Sequence, residues 1–258
     1  MRPILPRCER APPSQKDLPS MSNHQILDPA DHAELRVHMG PGAEFGDKVM
    51  ACLAVPNEFR RLATDYPILF HYDQESRSFS ALALMGFEKG ENLFLDGNSW
   101  SASAKPMALA IQPFLIGRSR DGSSSAQVHV DLDHPRIASG VDGVRVFDEA
   151  GRPTPYLEQI ISMLAELDEG HRKSGEFFAA LDRYDLLEPF ALDVPREGGG
   201  EHRLVGYHLI NETKLRALEP GAMSELHAAG HLLPLFMALA SLGNLGKLAR
   251  RRAAKHDG

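Results

Sequence analysis

The sequence predicts an α+β fold, with a β-rich antiparallel core in the N-terminal two-thirds, followed by helices and a hairpin packed on it. Three observations carry that expectation. Up to about Phe147 the apolar runs are short and alternate with polar residues, which is the period of strands. Most links between them are shorter than the roughly dozen residues of a parallel crossover, which argues for antiparallel pairing. Beyond Thr154 the apolar spacing changes to that of an amphipathic helix.

The expected strands are 49–55, 67–72, 79–85, 93–95, 114–117, 127–132 and 144–147, separated by turn-rich pieces such as EKGEN, LDGNS and RDGSSS. A brief helix is expected over 57–63, after Pro56. Thr154 suits a helix N-cap, and Pro155 supplies the φ of a first helical residue without losing a needed donor. Leu157, Ile160, Ile161, Leu164 and Leu167 then place one apolar face on that helix. A second helix is expected over 174–187, with Phe177, Phe178, Leu181 and Tyr184 on one side. Strands 189–194 and 203–210 flank REGGGEH as a hairpin. Asn211 caps a short helix through Leu218, and a last amphipathic stretch covers 222–251.

The 258 residues are enough for one compact unit with a sizeable core. Hydrophobic residues at 43% and charged residues at 24% exclude a mostly disordered or fibrous chain. A net charge of −7 gives no general attraction to phosphates, so no nucleic-acid partner is expected. The two cysteines, Cys8 and Cys52, make neither a disulfide framework nor a cysteine zinc site. Residues 1–20 are expected to be a disordered tail ahead of a true start at Met21, 21–250 a single domain, and 251–258 a basic flexible tail. The first 20 residues hold no apolar stretch of signal-peptide length, and the longest apolar run, 232–242, falls well short of the roughly 20 residues of a membrane span. A cytoplasmic location without an integral membrane segment is expected, with a signal-independent route to the cell surface left open.

In VHVDLDHPRI, residues 128–137, His129 and Asp131 alternate with Val128, Val130 and Leu132, which puts imidazole and carboxylate on one strand face. An H-x-D pair is what a non-haem Fe(II) site uses, completed by a distal histidine. His208 is the leading distal candidate beside His202, His227 and His231, and Arg216 is placed to hold an oxoacid co-substrate. The plainer reading is the solvated face of an antiparallel sheet. Asp131, Asp133 and Arg136 can pair as a surface ion cluster or, if burial separates their pKa values, act in acid–base chemistry.

In GENLFLD, residues 90–96, Gly90 and Asn92 suit a tight turn and Glu91 can accept from neighbouring amides. Glu91, Asn92 and Asp96 beside Trp100 would make the acid-and-aromatic platform of a carbohydrate site; a hairpin with an aromatic plug is the plainer account. Lys247, Arg250, Arg251 and Arg252 close the last helix, where cations complement the helix dipole or contact a partner or membrane surface. No nucleophile elbow, Walker loop, dinucleotide fingerprint or H-E-x-x-H occurs, and no cofactor is expected outside the Fe(II) alternative.

VPNEF at 55–59, YPILF at 66–70, ALMGFEKGENLFLD at 83–96 and PFLIG at 113–117 together resemble the bacterial SapC-like family, as do LLEPFALDV and SLGNL further on. The resemblance implies a soluble, non-catalytic or binding protein of a surface-layer or envelope-uptake system, sometimes labelled a peptide transporter permease. It brings no catalytic residues. The resemblance also implies a basic pair, often present in the family ahead of PFLIG, where this chain has Ala110 and Ile111; Arg118 and Arg120 lie just beyond.

Overall fold

The computed structural model describes residues 23–118, 126–195 and 201–256. The strands are β1 (His24–Ile26), β2 (Arg36–Val37), β3 (Ala51–Ala54), β4 (Ile68–Asp73), β5 (Ser78–Leu84), β6 (Leu95–Asp96), β7 (Ser99–Trp100), β8 (Phe114–Arg118), β9 (Ala126–Asp131), β10 (Val144–Arg145), β11 (Leu187–Pro195) and β12 (Glu201–Ile210). The helices are α1 (Pro29–His32), α2 (Phe59–Leu62), α3 (Met107–Ala110), α4 (Pro155–Arg183), α5 (Glu212–Arg216), α6 (Pro220–Ala228), α7 (Leu232–Ser241) and α8 (Asn244–His256). The α+β class is as the sequence predicts, and every ladder is antiparallel.

A five-stranded sheet has the order β11-β12-β4-β5-β3, and a three-stranded sheet has the order β1-β9-β8. The C-terminal hairpin thus completes the sheet that the N-terminal half begins. Its junction is narrow: β12 pairs with β4 only at Tyr207 and His208, while it pairs with β11 along most of its length. Gly206, at φ +87, turns β12 where that pairing stops; an L side chain is strained in this region.

The helix α4 bridges both cores. Its first half sets Leu157, Ile160, Leu164 and Leu167 against Phe114, Ile116 and Val130 of the three-stranded sheet. Its second half sets Phe177 and Leu181 against the five-stranded sheet, where Phe59, Phe70, Phe177 and Phe178 meet edge to face. Thr154 caps it as expected, its Oγ1 accepting from the Leu157 amide at 3.5 Å.

The two helices expected over 154–167 and 174–187 are one continuous helix. Gly170 and Gly175 weaken the periodicity without breaking it, and Gly170 serves packing, since a Cβ there would lie 2.4 Å from Asn57 Oδ1. The stretch 222–251 is instead divided into α6, α7 and α8. Gly230, at φ +73, ends α6 in the left-handed conformation usual just past a helix C-terminus. Residues 251–256, expected as a flexible tail, are the last turns of α8 and are held by Arg252, which is only 5% exposed. Residues 1–20, the REGGGEH turn residues 196–200, Arg120, and residues 257–258 of the expected tail lie outside the described residues. Leu232–Lys255 is long and apolar enough to cross a membrane by length and composition alone. Within it, Leu235, Ala238, Ser241, Asn244, Leu248 and Arg252 are buried.

Candidate functional site

Asn92 and Arg136, from two separate motifs, meet at Asp47, a residue that belongs to neither. Gly46, at φ +87, bends the single wide turn Ala43–Asp47 and delivers Asp47 to a position with no exposed surface. Its Oδ1 lies 2.7 Å from Lys105 Nζ, and its Oδ2 accepts from Arg136 Nη2 at 2.7 Å and from the Gly42 amide at 3.0 Å. Its backbone carbonyl accepts from Asn92 Nδ2 at 2.7 Å. Arg136 Nη1 donates to the His38 and Gly40 carbonyls at 2.9 and 3.0 Å, and its guanidinium lies over the Phe45 ring. Burial, aided by the neighbouring Arg136 charge, holds the Lys105 ammonium below the usual lysine pKa. The Arg136 side chain therefore pairs with Asp47 across the fold, not with Asp131 or Asp133 at the surface as expected.

The GENLFLD turn is likewise turned inward. Glu91 Oε2 accepts from the Phe87 amide at 2.6 Å, its Oε1 lies 3.3 Å from Arg252 Nε, and Asn92 Oδ1 accepts from the Phe94 amide at 3.0 Å. Helix α8 closes over it. Arg252 also reaches Glu88 at 2.5 Å, Arg251 lies 4.7 Å from the Phe94 ring centre and donates to Ser101 Oγ, and Lys255 donates to the Leu95 carbonyl at 2.8 Å. Trp100 Nε1 donates to Tyr66 Oη at 2.9 Å while Lys105 sits over its ring, and Asp96 is an exposed residue of the β6–β7 ladder. Glu91 and Trp100 thus serve different partners and share no platform. Of the four expected contact cations, Arg251 and Arg252 face the chain itself, whereas Lys247 and Arg250 are exposed.

His129 and Asp131 sit on β9, but neither is solvated: they are 2% and 8% exposed. The His129 ring lies against Gly117, where a Cβ would be 2.2 Å from Nε2, and neither ring nitrogen has a hydrogen-bond partner among the described residues. Burial, with His24 nearby, pulls its pKa below the ordinary value. Asp131 Oδ1 accepts from the Asp133 amide at 3.3 Å, and Oδ2 lies 3.5 Å from His24 Nε2. His208 belongs to β12 in the other sheet and stands edge-on to Phe79. No three His, Cys, Asp or Glu side chains among the described residues are grouped to hold a metal, so His129, Asp131 and His208 do not converge. Arg216 is paired with Glu212, His231 packs on Phe177, and the His202 side chain lies outside the described residues.

A concave feature of the fold lies elsewhere. A cleft of about 1590 Å³ runs beside the α4 face that carries His171, Gly175, Phe178 and Asp182, across β3, β5, β4 and β12. It is open and carries exposed apolar surface: Tyr72 is 39% and Val205 59% exposed. Its lining holds four cations, Arg77, Lys89, Arg172 and Arg203, against two acids, Asp73 and Asp182. Arg172 pairs with Asp168 and Glu169, and Arg203 loosely with Asp193 at 3.6 Å. Arg77 and Lys89 have no ion-pair partner among the described residues. Asp73 is occupied by its own turn, accepting from the Glu75 amide and Ser76 Oγ, which together lower its pKa.

Such a surface can seat an extended ligand with apolar and anionic groups. Sequence reasoning missed it because the lining comes from separate segments that no single motif joins. A family model described as SapC matches residues 27–248. No curated protein and no solved structure matches the chain.

Proposed function

Given that the chain belongs to the SapC family, we propose that it is a soluble, non-catalytic binding protein of a bacterial surface-layer or envelope-uptake system, with its ligand seat in the α4 cleft. The observation that carries this reading is the cleft itself, at about 1590 Å³ larger and more open than the usual seat of a compact metabolite. A binding role is supported further by how the motif's ionisable groups are used. Asp47, Glu58 and Glu91 each accept hydrogen bonds from the backbone or pair with buried cations, so they are engaged in holding the fold. The surface-layer or envelope-uptake context comes from what the family resemblance implies.

Gly175 provides a direct test. It lines the cleft, and nothing lies within 4 Å of a Cβ built there, so Gly175→Trp fills the cleft without a clash at its base. The isotope-labelled chain is titrated with a panel of peptides, oligosaccharides and fatty acids while amide resonances are followed. The expected result is shifts concentrated on β12, the β4–β5 turn and α4, abolished in Gly175→Trp at unchanged melting temperature. Binding that Gly175→Trp leaves intact, or shifts confined to other surfaces, overturns the assignment. Fractionation of the native bacterium tests the context, which fails if the protein is recovered with the cytosol alone.

A further inference from the structure

We propose that the cleft takes an extended acidic polypeptide, which adds as a strand to the open edge of β12. The proposal rests on the cleft being a ligand seat and goes further in naming the ligand class and its mode of attachment.

The open edge follows from the register of the hairpin. β12 pairs with β11 down to Glu201, with a register shift at Val205 and Gly206, the latter at φ +87, yet its pairing with β4 ends at Tyr207. From Glu201 to Val205 the side of β12 that faces away from β11 pairs with no strand among the described residues. Alternate amides and carbonyls of an antiparallel strand point to each side, so this edge presents donors and acceptors that no described strand takes up. β11 carries Pro189 and Pro195, residues that guard an edge against pairing. The 201–205 stretch has no proline, and Arg203, Leu204 and Val205 line the cleft.

The side-chain chemistry selects the occupant. Strand addition takes its affinity from main-chain hydrogen bonds and its specificity from alternate side chains. Val205 and Tyr72 offer exposed apolar surface, and Arg77 and Lys89 offer charge that pairs with no acid among the described residues. The cleft lining has two more cations than acids, in a chain whose net charge is −7. The chain's own residues 1–20 do not complement it, since they bear Arg2, Arg7, Arg10 and Lys16 against only Glu9 and Asp17.

The test uses the full chain and a fluorescent octapeptide alternating Glu and Val, with two relatives: one with Lys for Glu, and one N-methylated at every second amide in either register. Anisotropy is expected to show saturable binding of the Glu peptide. The Lys peptide and the Arg77→Glu/Lys89→Glu variant should each weaken it by about tenfold or more. N-methylation in one register should weaken it at least about tenfold, because several backbone hydrogen bonds are lost. Equal affinity for both N-methylated registers and the parent overturns strand addition while leaving the cleft as a ligand seat. No binding of the Glu peptide, with an oligosaccharide or fatty acid shifting the same amides, overturns the peptide class alone. Self-association that the Glu peptide blocks identifies a second copy as the occupant and overturns the proposal. No ligand shifting the cleft amides overturns this proposal and the binding role together.

Discussion

Asp47→Asn removes one charge and almost no volume, and it should be among the most destabilising polar substitutions in the chain. Asp47 is fully buried between two cations, Lys105 and Arg136, the latter 3% exposed. Breaking a buried ion pair from one side costs about 3–5 kcal/mol, because the remaining charge stays buried without a counter-charge. Two cations are stranded here, but they respond differently. Arg136 cannot lose its proton. Lys105 can, since its pKa already lies below the usual value and its side chain retains 21% exposure. The cost at neutral pH is therefore about 3–5 kcal/mol, set mainly by Arg136, out of a typical total of roughly 5–15 kcal/mol.

The pH dependence of the loss has a definite sign. With its folded pKa below the unfolded one, Lys105 binds fewer protons in the native state over the interval between the two values, so stability rises with pH across it. Removing the Asp47 charge lowers the folded pKa of Lys105 further and widens that interval downward. Urea unfolding followed by far-UV circular dichroism at pH 7 and pH 9.5 measures both effects. The deficit of the variant should be smaller at pH 9.5, and Asp47→Asn/Arg136→Met should recover part of the loss. A deficit under about 1 kcal/mol at pH 7 would show that the three charges are not holding these segments together.

Gly117→Ala should destabilise strongly, because the new Cβ meets the His129 ring at 2.2 Å, and His129→Ala should rescue it in a double-mutant thermal melt. Burial depresses the pKa values of His129, His208 and His231, so their contribution to stability is fully present above about pH 6.5 and is lost as pH falls from there through the folded values. Urea titrations at pH 7.5 and 5 should show a drop that His129→Leu makes smaller; an unchanged drop excludes His129 from the acid sensitivity. Arg252→Ala leaves Glu88 and Glu91 without their shared cation and should cost about 2–4 kcal/mol. Limited proteolysis should then cut α8 first, and cleavage at the wild-type rate would contradict the docking of that helix.

Local patterns in the sequence were sufficient where one segment decides its own structure. The Thr154–Pro155 start of α4, the Asn211 cap, the short apolar runs of β4, β5 and β8 and the alternation in β9 are all of this kind. They failed where the decision belongs to a distant partner. The expected helix break between Leu167 and Ser174 is absent because Asn57 and Val55 pack against Gly170. The solvated face assigned to His129 and Asp131 is covered by packing that alternation along β9 alone does not reveal. Arg136 has nearer acids in sequence, but its carboxylate is 89 residues away at Asp47. The cleft was illegible for the same reason, since its lining joins α4 to four strands and a turn that are remote in the chain.

The grip of α8 on GENLFLD also sets an order on synthesis. Glu88 and Arg252 are separated by 164 residues, a contact that cannot form until nearly the whole described chain has left the ribosome. Until then Glu88 and Glu91 lack that cation, and the Phe94 ring lacks the cover of Arg251. The GENLFLD turn is consequently among the last parts of the protein to be locked. A nascent chain halted before residue 251 would present that turn, acidic and half-built, to whatever chaperones or proteases attend it.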